Sequence, residues 1–90
     1  MSSAHRTAVI TNQRGLHARA AAKFAALAGE FDADISVSKG GQTVSARSIM
    51  GLMVLAAGIG SEIQLSADGS DATAALNAIC KLISDGFQED

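Results

Sequence analysis

Asp34-Ile35-Ser36-Val37-Ser38-Lys39-Gly40-Gly41-Gln42-Thr43-Val44-Ser45 is the stretch that decides the fold. Ile35 and Val37 alternate with Ser36 and Ser38, the period of a strand with one buried and one wet face. Gly40-Gly41 is a two-residue hairpin turn, so Gln42–Ser45 returns antiparallel to Asp34–Lys39. One face of the sheet is therefore wet, and helices have only the other face to cover.

Outward from the hairpin the pattern repeats. Downstream, Ser48 opens a short helix from Ile49 to Val54 or Leu55, which Gly58-Ile59-Gly60 breaks. Glu62 to Ala67 then alternates Ile63 and Leu65 with Gln64 and Ser66, a further half-buried strand. Asp68-Gly69-Ser70 turns the chain, and Ser70 or Asp71 caps a last helix. Its Ala72, Ala75, Leu76, Ile79, Leu82 and Ile83 follow the helical period, and it ends before Gly86. Upstream, His5 to Thr11 reads as a first strand, and Ala18 to Ala28 as an alanine-rich helix stopped by Gly29. Ala20, Phe24, Leu27 and Ala28 make its apolar face, with Phe24 a core residue. The order βαββαβα predicts an α+β fold, an open-faced sandwich: a four-stranded antiparallel sheet covered on one face by three helices.

With 90 residues, 48% of them hydrophobic, the chain is expected to be one domain, residues 1–90, with a single core. A net charge of −2 gives no general attraction to nucleic acid. The three Phe residues lie in or beside helices and there is no Tyr or Trp, so the sheet offers no stacking platform for bases. No apolar run of about 20 residues exists to span a membrane, and Met1 to Arg6 does not lead into a signal-peptide core. The expectation is a cytoplasmic monomer. Cys80 is a lone cysteine in an apolar helix and reads as a small buried hydrophobe. The glycines at 58 and 60 complete neither nucleotide-binding signature. His5 has no ligand partner at metal-binding spacing and reads as an exposed residue at a strand start.

Chemistry concentrates in Gly15-Leu16-His17-Ala18-Arg19-Ala20-Ala21-Ala22-Lys23. The helix should begin near Ala18, which places His17 at or near the N-cap. The first backbone N–H groups of a helix lack intrahelical acceptors and carry the positive end of its dipole, so they form a small anion site to which Ala18 contributes its N–H. That positive end, with Arg14 and Arg19 nearby, favours a neutral and therefore nucleophilic imidazole. A phosphate would fit here, with Arg19 as a fork for its oxygens.

A second block, Ser45-Ala46-Arg47-Ser48-Ile49-Met50-Gly51-Leu52-Met53, puts more apolar side chains on a two-turn helix than one face can bury. Core packing accounts for Ile49 and Leu52; Met50 and Met53 are expected to be exposed and adaptable to a partner. Ser48 is the N-cap of this helix.

Both blocks, at their separation in the chain, resemble the histidine-containing phosphocarrier protein family, HPr, of the phosphoenolpyruvate-dependent phosphotransferase system. The resemblance implies the same open-faced sandwich and a phosphoryl group carried on His17 from phosphorylated enzyme I to EIIA-type acceptors. It implies that phosphoenolpyruvate and magnesium act at the donor enzyme, so that the carrier holds no cofactor or metal. It also implies a docking face of Leu16, Ala20, Arg47, Met50 and Met53, and a regulatory Ser48 addressed by an HPr kinase/phosphorylase in lineages that have one. The chain departs from the family in carrying Ala20 where a proline commonly follows the arginine, and it has no proline at all. The departure leaves His17 and Arg19 in place and leaves two branches open, sugar uptake or a nitrogen-related regulatory relay. The competing function class is a regulatory docking protein of the same fold, controlled at Ser48 and transferring nothing.

Overall fold

The computed structural model describes residues 2–89. Its elements are β1 (Ser3–Val9), α1 (Ala18–Ala28), β2 (Asp34–Lys39), β3 (Gln42–Ser45), α2 (Ile49–Val54), β4 (Glu62–Asp68) and α3 (Ala72–Ser84), followed by a 3₁₀ turn at Gly86–Gln88. The strands form one four-stranded sheet in the order β1-β4-β2-β3, every neighbouring pair antiparallel. This is the expected βαββαβα sandwich.

The hairpin forms as read: Val37 faces Val44, Lys39 faces Gln42, and Gly40 and Gly41 both take positive φ, which glycine adopts without steric cost. β4 lies in the centre, pairing Ala67 with Ala4 and Ile35, and Leu65 with Val37. The period-two pattern thus sends Ala4, Ile35, Val37, Ile63, Leu65 and Ala67 into the core beneath the helices. His5, Ser36, Gln64 and Ser66 lie on the opposite face.

Two boundaries differ from the sequence expectation. β1 begins at Ser3 and ends at Val9, two residues earlier than read, because β4 extends to Asp68 and Ser3 Oγ donates a 2.6 Å hydrogen bond to the Asp68 carboxylate. Thr11 instead turns toward α3, its Oγ1 donating to the Ile83 carbonyl at 3.0 Å. The 3₁₀ turn beyond Gly86 was not expected. It buries Phe87 against Phe24, ring centroids 6.4 Å apart, and so extends the core past the last helix.

The helices reach the sheet closely because their inner faces are small. α1 buries Ala20, Ala21 and Ala28 around Phe24, and α3 buries Ala72 and Ala75 beside Leu76, Ile79 and Ile83. Asp71 caps α3 by position, but its carboxylate accepts from Asp32 N at 2.8 Å rather than from its own helix. Among the described residues no helix is long and apolar enough to cross a membrane.

α2 ends on a strained residue. Leu55 closes it, and Ala56 follows at φ +52, the left-handed region where a Cβ costs ~1–2 kcal/mol and where glycine is the usual occupant after a helix. Ala56→Gly should therefore stabilise the fold by about 0.5–1 kcal/mol after glycine's greater freedom in the unfolded chain is counted. Thermal unfolding should show a melting temperature about 2–8 °C higher; an unchanged or lower value would mean that the Ala56 methyl contributes packing that outweighs its strain.

Candidate functional site

The site begins where the chain leaves the sheet. The buried Asn12 ties the loop to itself: its carbonyl accepts from Gly15 N at 3.2 Å and its Nδ2 donates to the Gly15 carbonyl at 2.9 Å. Gly15 takes φ +65 and lies so close to the segment after α2 that an added Cβ would stand 2.4 Å from the Ala57 carbonyl oxygen. Leu16 N donates to that same oxygen at 2.9 Å. The loop is thus fastened to the C-terminal end of α2 before it delivers the next residue.

That residue is His17. It is extended (φ −73, ψ 176), and its carbonyl accepts the first helical bond of α1 from Ala21 N at 2.8 Å. It is the N-cap that the alanine run predicts, yet its side chain makes no capping bond, so the imidazole is left for other use. The ring opens on a shallow pocket lined by Arg14, Arg19, Lys23, Gln88 and Glu89. The first-turn N–H groups of Ala18, Arg19 and Ala20 have no intrahelical acceptor.

One charge in the pocket lies outside the sequence expectation. The surroundings of His17 were expected to be positive, but Glu89 Oε1 stands 3.4 Å from His17 Nε2, each side chain 16% exposed. The same carboxylate takes Asn12 Nδ2 at 3.3 Å and Arg14 N at 3.4 Å. Desolvation pushes the Glu89 carboxyl up, but hydrogen bonds from the Asn12 side chain and from the Arg14 and Gln13 backbone, with His17 adding to them, outweigh it and hold the group below its ordinary value. Lys23 Nζ donates to the Phe87 carbonyl at 2.9 Å and fastens the C-terminal turn to α1. Sequence separations of 64 to 77 residues join these partners. Only the acidic character of the residues after Gly86 could have hinted at Glu89.

In the second block Ser48 caps α2, its Oγ accepting from Gly51 N at 2.9 Å. Leu52 is buried, while Met50 is 72% exposed and Ile49, Met53 and Val54 are also exposed, so Ile49 is surface rather than core. Ile59, in the segment after α2, is exposed as well. Three expected docking residues do not present themselves this way. Leu16 and Ala20 are 6% and 1% exposed; their side chains build the core beneath the loop and the first helical turn. Arg47 is exposed but points elsewhere: its Nη2 donates to the Phe31 and Ala33 carbonyls at 2.9 and 3.2 Å. Asp34 and Asp68, which line the same hollow as Arg47, pair at the end of the sheet remote from Val9 and Glu62, whereas the loop that leads to His17 leaves the sheet at the other end, where Ile10 N donates to the Ser61 carbonyl. Arg47 ties the turn before β2, and among the expected docking residues Met50 and Met53 are the exposed apolar ones.

The arrangement places an accessible imidazole among three cationic side chains and a helix N-terminus, beside an exposed apolar strip. Such a pocket can accept and hold a phosphoryl group while a partner protein rests on the strip.

Known proteins resemble this chain over nearly its whole length. The family model PTS-HPr, described as the PTS HPr component phosphorylation site, matches residues 4–85. Phosphocarrier protein NPr of Shewanella violacea is 48% identical over 99% of this chain and 98% of its own. Phosphocarrier protein HPr of Cupriavidus necator is 49% identical over 93% of this chain and 94% of its own. The crystal structure of HPr-C-His from Thermoanaerobacter tengcongensis superposes with a TM-score of 0.92 at 41% identity, covering 97% of this chain and 98% of that one.

Proposed function

Because the chain belongs to the HPr family of phosphocarrier proteins of the phosphotransferase system, we propose that His17 is the residue that carries its phosphoryl group, taken from phosphorylated enzyme I and passed to an EIIA-type acceptor. The observation that carries this reading is the imidazole at the N-terminus of α1, free of a capping role, in a pocket shared with Arg14, Arg19 and Lys23. A ring nitrogen lone pair forms the N–P bond as the bond from phosphorus to the donor breaks, and that electron pair stays with the donor. The transferred group passes through a loose transition state with charge on its three outer oxygens. Arg19 and the first-turn N–H groups are suited to hold those oxygens without reorganising.

The phosphoramidate is labile, so the same step runs onward to the acceptor. The protein then works as a relay that returns to its starting state only through a partner. Phosphoenolpyruvate and magnesium act at the donor enzyme, in the cytoplasm, and the carrier needs no metal of its own. Similarity to relatives named NPr and HPr is equal within a percent, which keeps both the regulatory relay and sugar uptake as settings for this chemistry.

The test is intact mass with site mapping after incubation with enzyme I, magnesium and phosphoenolpyruvate. One acid-labile phosphoryl group on His17 is expected. Failure to acquire it from any cognate donor would leave the exposed strip on α2 as the functional feature and favour a docking regulator.

Ser48 supports a second prediction. Phosphate there would add about two negative charges at a helix N-terminus that tolerates them, on the rim of the strip where an acidic partner would be repelled. Ser48→Asp keeps a good N-cap and should leave the melting temperature unchanged. Transfer from enzyme I should slow about tenfold, the equivalent of ~1.4 kcal/mol. Transfer at the wild-type rate would remove Ser48 from the docking surface.

A further inference from the structure

We propose that Met50 is a reversible oxidation site, and that its sulfoxide weakens docking without disturbing the fold or the imidazole. The inference rests on the reading of His17 as a carrier that meets its donor through the strip on α2, and adds a chemical control of that strip.

The strip presents Ile49, Met50, Met53 and Val54. Ile49 and Val54 have saturated hydrocarbon side chains, which a mild oxidant leaves unchanged. The two methionines carry thioethers, and a hydroperoxide converts a thioether to a sulfoxide, replacing a flexible apolar group by a polar and chiral one. In that step a sulfur lone pair forms the S–O bond and the O–O bond of hydrogen peroxide breaks. The departing hydroxide takes the proton of the transferred hydroxyl and leaves as water.

Exposure decides which sulfur reacts. Met50 is 72% exposed and Met53 40%, so peroxide meets Met50 first. Cys80, the other sulfur to consider, is half-buried on α3 and packed against the core. The place of Met50 in α2 decides what its oxidation does. The helix is capped by the Ser48 hydroxyl on Gly51 N and anchored by the fully buried Leu52, and Met50 takes part in neither. A sulfoxide there faces solvent in the undocked protein and removes nothing from the core. Against a partner the same group is unfavourable, because docking excludes water and leaves a strong acceptor oxygen without a donor. The modification is thus neutral for the protein alone and obstructive in the complex. Methionine sulfoxide reductases reverse it: a pair of thiols is oxidised to a disulfide and the sulfoxide oxygen leaves as water.

The test uses the full chain carrying Cys80→Ala, so that no thiol consumes oxidant, and hydrogen peroxide as the probe. Mass mapping should find oxygen on Met50 ahead of Met53. With Met50 oxidised, phosphoryl transfer from enzyme I should slow about tenfold. Formation of the His17 adduct from potassium phosphoramidate, a small donor that docks with nothing, should keep its rate. The melting temperature should stay within about 4 °C of the untreated protein. Methionine sulfoxide reductases with dithiothreitol should restore transfer. Met50→Leu, compared with its own untreated rate, should no longer respond to peroxide, whereas Met53→Leu should respond as its parent does.

Transfer from enzyme I at an unchanged rate with Met50 fully oxidised would overturn the proposal. So would an equal loss with phosphoramidate, which would place the effect in the pocket, oxygen on Met53 ahead of Met50, or a Met50→Leu variant that still loses transfer to peroxide. Untreated protein that takes no phosphoryl group from any enzyme I would overturn the carrier reading and this control with it.

Discussion

Exchanging His17 for alanine is expected to abolish phosphoryl uptake from enzyme I and leave the fold intact. The imidazole is the nucleophile of the proposed transfer, and neither Arg19 nor Lys23 can replace it, because both are protonated at neutral pH and have no lone pair to offer. Loss of the adduct should therefore be complete rather than partial. The structural cost is small for a definite reason. His17 makes no capping bond, its backbone φ and ψ suit any residue, and its side chain contributes only the partly exposed pairing with Glu89, of a kind that adds little to stability. Calorimetry should place the melting temperature less than about 8 °C below wild type. An acid-labile adduct that survives in His17→Ala, mapped to His5 for instance, would mean that the carrier residue has been misassigned.

The second large effect is structural and falls two residues earlier. Gly15→Ala should destabilise the protein by about 3 kcal/mol, the sum of a left-handed residue given a Cβ and an overpacked contact. At φ +65 that Cβ would lie 2.4 Å from the Ala57 carbonyl oxygen and 2.8 Å from Gly58 Cα, both backbone atoms with no rotamer by which to yield. The Ala57 oxygen is also the acceptor for Leu16 N, so relief of the clash breaks the bond that fastens the histidine loop to the end of α2. A melting temperature lowered by about 12–24 °C is expected, with a proportionate loss of transfer as His17 moves relative to Met50 and Met53. If the variant melts with the wild type, the loop and the end of α2 are not in the contact described.

These two positions mark what could be read from the chain and what could not. His17 was legible because the helix signal is local: an alanine run after a loop places the N-cap within a residue, and the dipole and N–H groups follow from the geometry of any helix. The hairpin was legible for a similar reason, since alternation and Gly40-Gly41 act over a dozen residues. Ser48 as a cap belongs with them. Glu89 was not legible, because its proximity to His17 comes from the packing of α1, α3 and the turn at Phe87, and Gly86 signalled only that a helix stops. Arg47 entered the expected docking face through the family resemblance, and its hydrogen bonds to the Phe31 and Ala33 carbonyls are contacts that no sequence pattern reveals. Leu16 and Ala20 adjoin the reactive residue along the chain yet face the core, as the side-chain periodicity of a loop entering a helix requires. The placing of β4 between β1 and β2 likewise depends on pairings between distant residues.

The placing of β4 also sets the order of events during synthesis. β2 and β3 can join as soon as both have left the ribosome, but among the described residues β1 pairs with β4 alone, and its register ties Ser3 to Asp68. The first strand made is therefore among the last to be satisfied. Until residue 68 emerges, the N-terminal strand and the alanine-rich helix after it wait beside a half-built sheet, and closing so long a loop before any contact is gained slows the final step relative to helical proteins of the same size. In this interval the nascent chain has exposed strand edges on both pieces of the future sheet, and contact with other chains or with a chaperone competes with completion of the reactive pocket.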